Sequence, residues 1–303
     1  MILSLSIMKR LAYLLPPAQR RNLHDALQVG WKMARFHSPA RPALRIAFSP
    51  KYRILAWPKQ PSSLQAFYRL CAWNGCRIVA NLEEPFDFAL HFQKDPTHCD
   101  LPEQLTVINR HCRVAKSYIA EKFEQVFGYG VTVDPETFVG KIVEKPDSNH
   151  SFEGRIVEGP LPSDQIRADR VYERFIDTYD EGQAVDLRVP IYGDTIPIVY
   201  EKRRPFDAGL KDVRSASRHR PDEFLSDKEQ DDLLAYAKAL GLDYGEMDVL
   251  RNRGDGRIYV VDVNNNPAGP PKQMSDKNIA SALDEVSPAF MRMLDTFAER
   301  ANG

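Results

Sequence analysis

The chain has 303 residues, 43% of them hydrophobic, with 41 Lys and Arg set against 42 Asp and Glu. That length supports two or three subdomains around a sizeable core, and a net charge of −1 argues against a dedicated nucleic-acid binder, which carries a basic excess. No apolar run reaches the roughly 18 residues of a membrane span, and Cys71, Cys76, Cys99 and Cys112 lack C-x-x-C spacing, so they read as reduced thiols of a cytoplasmic protein.

Residues 1–36 are basic and amphipathic, with Leu11, Leu14, Leu15, Leu23, Leu27 and Trp31. Residues 1–50 are therefore expected to form a helical extension that packs on the core or makes weak peripheral contact with a membrane. Lys9 and Arg10 split its first apolar stretch and no small-residue cleavage site follows, unlike a signal peptide. Residues 51–110 read as a small α/β subdomain. A strand at 53–57 precedes a helix with Leu64, Phe67, Leu70 and Cys71 as its apolar face, Ser62 or Ser63 as its cap and Gly75 as its stop. Strands at 77–80 and 86–92 follow, an order that predicts a parallel pair with a crossover helix.

A strand at 106–109 leads into a third segment, 111–180. Here the pattern predicts a helix at 115–127, a strand at 138–144 ending in Lys145, a polar loop at 147–154 and a strand at 171–176. Segment 181–303 opens with a hairpin, 186–192 and 196–201, around Gly193 and Asp194. Pro190 and Pro197 lack N–H groups and predict a sheet edge. Lys211, Arg214, Arg218, His219 and Arg220 predict a solvated basic loop or a mobile flap for an anionic acceptor. Ser226 and Glu229 form a capping box for a helix to Leu240, with Gly241 as the stop. A second hairpin pairs 246–251 with 257–264. Ser275 caps a helix to about residue 285, and Ser287-Pro288 starts another.

The second hairpin carries the strongest chemical pattern. Side chains two apart on a strand share a face, so Asp262 and Asn264 point the same way. If 252–256 is a five-residue loop, Arg251 pairs with Arg257, and Asp248 lies opposite Val260 and diagonal to Asp262. Two carboxylates and an amide on one face form either a solvated polar surface or a hard-oxygen site for Mg²⁺. The apolar neighbours Ile258, Tyr259, Val260, Val261 and Val263 favour the buried, metal-holding alternative. With no metal bound the two carboxylates should repel, so neutralising Asp262 is expected to leave stability unchanged or raise it.

The runs Gly245-Glu246-Met247-Asp248-Val249 and Tyr259-Val260-Val261-Asp262-Val263-Asn264-Asn265-Asn266-Pro267 resemble the C-terminal signature of the ATP-grasp superfamily. The resemblance extends over about residues 105–270. It implies Asp248, Asp262 and Asn264 as ligands of Mg²⁺, or Mn²⁺, bridging ATP phosphates, with Asp262 replacing the more usual Glu. Lys145 is similar to the strand lysine that contacts phosphate and Lys116 to the second nucleotide lysine. Glu173 and Ile176 resemble the adenine-reading hinge, Asp186 a ribose contact and Arg188 a γ-phosphate contact. Lys202 is a phosphate contact by the same analogy, yet simple hairpin register puts it on the face opposite Arg188. The 147–154 segment has one glycine where the family has a glycine-rich loop.

The implied fold is α/β (α+β), an ATP-grasp fold with a small N-terminal α/β subdomain at 51–110. ATP would be held between a small lobe, 111–180, and a large lobe, 181–303. The implied function is an ATP- and Mg²⁺-dependent ligase that joins a carboxylate to an amine through an acyl-phosphate, with Arg188 and Lys202 as catalytic cations. An ATP-grasp kinase acting on a hydroxyl is the alternative. The acceptor is a small molecule, peptide or saccharide; no nucleic acid is expected, and a homodimer is left open.

Overall fold

The computed structural model describes residues 49–94, 98–148, 153–205 and 213–303. The expected helical extension lies outside these residues but for its last two positions, as do 149–152 of the polar loop and Lys211 of the basic segment. Strands β1 (Arg53–Pro58), β2 (Arg77–Val79), β3 (Phe88–Phe92) and β4 (Val107–Ile108) form a parallel sheet in the order β2-β1-β3-β4. Helix α1 (Ala66–Trp73) is the expected crossover between β1 and β2. It begins later than its apolar pattern suggests, with Gln65 at the N-cap and no side-chain cap bond. Leu64 thus precedes the first turn and is 67% exposed, whereas Phe67, Leu70 and Cys71 are buried. Gly75 takes φ 72°, and the Cys76 N–H donates to the Cys71 carbonyl at 2.8 Å, a left-handed closure of the helix end.

Asn109, just past β4, is fully buried at φ 59°, a left-handed conformation that Asn tolerates. Its side-chain oxygen accepts from the Asp243 and Tyr244 N–H groups at 2.8 and 2.9 Å, and its amide donates to the Tyr244 carbonyl at 2.7 Å. This clip ties the parallel sheet to the start of the acidic hairpin.

Helix α2 (Lys116–Phe127) leads into an antiparallel sheet of β5 (Gly140–Pro146), β6 (Arg155–Gly159) and β7 (Arg170–Arg174), in the order β6-β5-β7. β6 has no counterpart in the sequence-based reading, because this edge strand is exposed along much of its length and lacks clean alternation. Asp147 begins the expected polar loop yet caps α2. Its carboxylate accepts from the Ser117 N–H at 2.7 Å and hydroxyl at 2.9 Å, and its carbonyl accepts from the Lys116 N–H at 3.0 Å.

The largest sheet is antiparallel: β8 (Tyr179–Asp180), β9 (Gln183–Tyr192), β10 (Val199–Pro205), β11 (Ser215–His219), β12 (Tyr244–Arg251) and β13 (Ile258–Asn264), in the order β11-β10-β9-β12-β13 with β8 on β9. β9 is central, correcting the expected edge. Pro190 sits opposite Glu246 inside the sheet, and Pro197 falls in the turn before β10. One face carries Leu187, Val189, Ile191, Met247, Val249 and Val263, packed on α2 and on α3 (Asp227–Leu240). The other carries Tyr192, Tyr200 and Tyr244, packed on Phe290 of α4 (Asp276–Asn302) and Phe67 of α1.

Two further expectations are corrected. α4 runs unbroken through Pro288, where two helices were predicted. The Ser287 hydroxyl donates to the Leu283 carbonyl at 2.7 Å, and the stripe Leu283, Val286, Phe290, Leu294 and Phe297 packs the helix on both sides of the proline. In the basic segment, 215–219 is strand β11 rather than a loop, and Arg218 pairs with Glu285 of α4 at 3.0 Å.

Candidate functional site

Cross-strand partners share a face, so the register assembles one residue from each of five strands into a row: Arg218, Tyr200, Arg188, Asp248 and Asp262. The flanking row on one side holds Lys202 opposite Asp186, and on the other Pro190, Glu246 and Asn264. Asp186, Arg188, Lys202, Asp248, Asp262 and Asn264 therefore share a face, through two irregularities the sequence conceals.

The first is a bulge in the acidic hairpin. Arg251 pairs with Ile258, not Arg257, and Val249 with Val260, but Asp248 pairs with Asp262, leaving Val261 without a partner. Asp248 thus lies opposite Asp262 rather than diagonal to it. The second lies before β10. Tyr192 bridges Thr195 while Arg188 pairs with Tyr200, so four steps along one strand match five along the other. That extra residue brings Lys202 onto the face of Arg188, correcting the simple hairpin register.

Cations converge on this face. Lys116, at the first turn of α2 and 4% exposed, places Nζ 2.8 Å from Asp262 Oδ1. Arg188 Nε and Lys202 Nζ lie 3.1 and 3.0 Å from the same oxygen, Oδ1 of Asp248. Lys145, reaching across from β5, places Nζ 2.7 Å from Glu173 Oε2 and 2.8 Å from the carbonyl of Val261, the unpaired bulge residue. Arg204 Nε lies 3.4 Å from Asp186 Oδ2. Burial alone would raise the Asp248 carboxyl, but Arg188 and Lys202 outweigh it and hold it well below the usual carboxylate range. Asp248 in turn holds the Arg188 proton more firmly than usual. Burial pushes Glu173 up, opposed by Lys145.

Ile176 is buried among Leu187 and its neighbours in the α2–α3 core. The Glu173 carboxylate is buried and engaged with Lys145. Asn264 Oδ1 accepts from the Asn266 N–H at 2.9 Å. Among the described residues, no three His, Cys, Asp or Glu side chains form a ready-made metal cage. The donors that fit Mg²⁺ are the hard oxygens of Asp248, Asp262 and Asn264, and the two Asp side chains are 26% and 37% exposed, within reach of an incoming ion. The same donors suit Mn²⁺.

Glu246 escapes the sequence-based reading. It is 4% exposed, its Oε2 has no hydrogen-bond partner, and Arg188 Nε lies 3.6 Å away. Burial pushes its carboxyl up to about 7, with Arg188 opposing. The signal was present: Glu246 is two residues from Asp248 and shares its face.

No family model matches the chain, and no curated protein matches it. Among solved structures it is similar to the D-alanine–D-alanine ligase from Bacillus anthracis complexed with ATP, at 18% identity and TM-score 0.49, over 83% of this chain and 97% of that one. It is similar to the VanG D-Ala:D-Ser ligase from Enterococcus faecalis at 14% identity and TM-score 0.47, over 73% and 74% of the two chains. The ATP-grasp ligase PsnB, complexed with a phosphomimetic variant of minimal precursor, Mg and ADP, gives 18% identity and TM-score 0.44 over 62% of this chain. The chain spans 61% of PsnB's length. The three-stranded antiparallel sheet meets the larger antiparallel sheet where Lys145 of β5 bonds the Val261 carbonyl of β13. A parallel α/β unit followed by a three-stranded and a six-stranded antiparallel sheet is the arrangement that the ATP-grasp resemblance implies. Lys145 comes from the three-stranded sheet, while Arg188, Lys202 and the acidic hairpin come from the larger one.

Proposed function

We propose that this chain is an ATP- and Mg²⁺-dependent ligase that joins a carboxylate to an amine. One observation carries the proposal: three cations, Lys116, Arg188 and Lys202, sit on the two carboxylates that suit a divalent ion. Such a cluster is primed for partner exchange. Asp248 and Asp262 would hold the metal, leaving Lys116, Arg188 and Lys202 to face phosphate oxygens. Arg188 is held by its neighbours, whereas Lys202 is a flexible ammonium that can follow a moving phosphoryl group. Mg²⁺–ATP would supply the phosphoryl group that activates the substrate carboxylate as an acyl-phosphate.

In this reading Asp248, Asp262 and Asn264 hold the metal, with Mn²⁺ as a substitute, and Lys116 and Lys145 hold the nucleotide phosphates. Arg188 and Lys202 stabilise charge on the transferring group. The hinge around Glu173 and Ile176, with Asp186 beyond it, receives the nucleoside. The acceptor is a small molecule, a peptide or a saccharide. Residues 51–110 form an accessory subdomain, and 111–180 and 181–303 the two lobes.

Calorimetric titration of ATP with and without Mg²⁺ tests the nucleotide half, and incubation with acceptors and hydroxylamine tests the chemistry. Metal-dependent tightening with a trapped hydroxamate is the expected result. A phosphorylated acceptor without hydroxamate would make the enzyme a kinase. Equal ATP affinity in both conditions would overturn the metal site.

A further inference from the structure

Glu246 has no part in the exchange just described, yet its position is demanding. A buried carboxylate oxygen without a hydrogen bond is costly unless a partner reaches it in some state of the protein. Among the described residues the ion pair of Glu246 is with Arg188, and at 3.6 Å from Nε the oxygen lies just beyond hydrogen-bond reach. The same Nε is 3.1 Å from Asp248 Oδ1. Register explains the arrangement: Arg188 is directly opposite Asp248, and Glu246 is the next residue of β12 on that face. Arg188 thus has one carboxylate in hydrogen-bond contact and a second, whose Oε2 has no hydrogen bond, about half an ångström farther away.

We propose that Glu246 is the positioning residue for Arg188, taking over its guanidinium when Asp248 turns to the divalent ion; the inference rests on the Mg²⁺–ATP reading of this site. Arg188 and Lys202, now bonded to Asp248, would be repelled from it by a divalent ion held there. Lys202, 8% exposed, has a flexible stem that can turn its ammonium to another partner. Arg188 sits in the central strand of the sheet, and its planar fork keeps its direction only if an acceptor fixes it. Glu246 supplies that acceptor with a movement smaller than a bond length, so the guanidinium stays on the face it shares with Asp248 instead of becoming an unpaired cation beside a metal.

The test is calorimetry of ATP binding, with and without Mg²⁺, on the parent, Glu246→Gln, Glu246→Asp, Arg188→Gln and the Glu246→Gln/Arg188→Gln double variant. Melting temperature without ligand verifies that each variant folds. Glu246→Gln should bind metal-free ATP within about twofold of the parent but lose about tenfold or more of the tightening that Mg²⁺ brings. Glu246→Asp, which keeps the charge, should recover part of it. In the Arg188→Gln background, Glu246→Gln should change the Mg²⁺-dependent affinity by less than about twofold, because the partner it positions is gone. A Glu246→Gln variant with the full Mg²⁺-dependent gain overturns the proposal. Equal weakening with and without metal also overturns it, since that is the pattern of a structural brace. A parent that shows no Mg²⁺-dependent gain overturns the metal site itself, a failure visible before any variant is made.

Discussion

Asp262→Asn separates the structural from the chemical role of the acidic hairpin. The substitution keeps size and shape and removes one negative charge. Its partner is Lys116 at 2.8 Å, whose side chain is 5% exposed against 37% for Asp262. Breaking a fully buried pair costs about 3–5 kcal/mol, and breaking an exposed one about 0.2–1 kcal/mol. A pair with one buried and one partly exposed member falls between, at about 1–2 kcal/mol. At about 2–4 °C per kcal/mol for a protein approaching this size, the melting temperature should fall by about 2–8 °C. Relief of repulsion between Asp248 and Asp262 predicted no change or a gain; Lys116 reverses the sign, because the charge removed is the one that neutralises a buried ammonium. Loss of a charged metal ligand should lower ATP turnover about a hundredfold or more, some 2.7 kcal/mol of transition-state stabilisation. The assay is melting of parent and variant without ligand, then with saturating Mg²⁺ and ATP, followed by turnover. A variant that melts with the parent, gains as much from Mg²⁺–ATP and turns over at the parental rate would remove Asp262 from both roles.

Two predictions concern the scaffold. Burial pushes the Asp243 carboxyl above its ordinary value, with the Asn109 N–H bond at 2.7 Å opposing. The folded state therefore binds more protons here than the unfolded chain, and this contribution to stability is present below about pH 4 and lost as pH rises through the folded value. Asp243→Asn keeps an oxygen for the Asn109 N–H and should flatten that fall in a melting series against pH; an unchanged slope would remove Asp243 as its source. In hydrogen exchange, the amides of 215–219 that bond to β10 should be slowed relative to unpaired loop amides, and exchange at loop rates would return the segment to a mobile flap.

What was legible in the sequence was local. Ser226 and Glu229 close a capping box within one turn, and the helix runs to Leu240 with Gly241 in the left-handed conformation, as read. Val263, Met247 and Val249 mark one buried face of the acidic hairpin and Asp248 and Asp262 the other, whereas Val260, which simple alternation sets beside Asp262, reaches the apolar face only through the bulge. β11 was illegible because Ser215-Ala216-Ser217-Arg218-His219 has no apolar alternation; its pairing comes from β10, and Arg218 is fixed by Glu285 on a distant helix. Lys116 gave only a weak signal because its counter-charge, Asp262, is remote in sequence and near only once α2 packs beside β13.

The two backbone irregularities show why charged residues alone could not be placed. Near its turn the acidic hairpin pairs Arg251 with Ile258 and Val249 with Val260. Continued without interruption, that register would set Asp248 opposite Val261 and turn Asp262 toward the apolar α2–α3 core, since a one-residue slip reverses every side chain. The bulge at Val261 prevents this, and the carbonyl of that residue meets Lys145. Likewise, without the extra residue before β10, Lys202 would share a face with Leu187 and carry its ammonium into that core. Both irregularities stand at uncharged positions. A search for carboxylates and lysines passes over them, although they decide whether Asp248, Asp262, Arg188 and Lys202 meet on one surface or are divided between two.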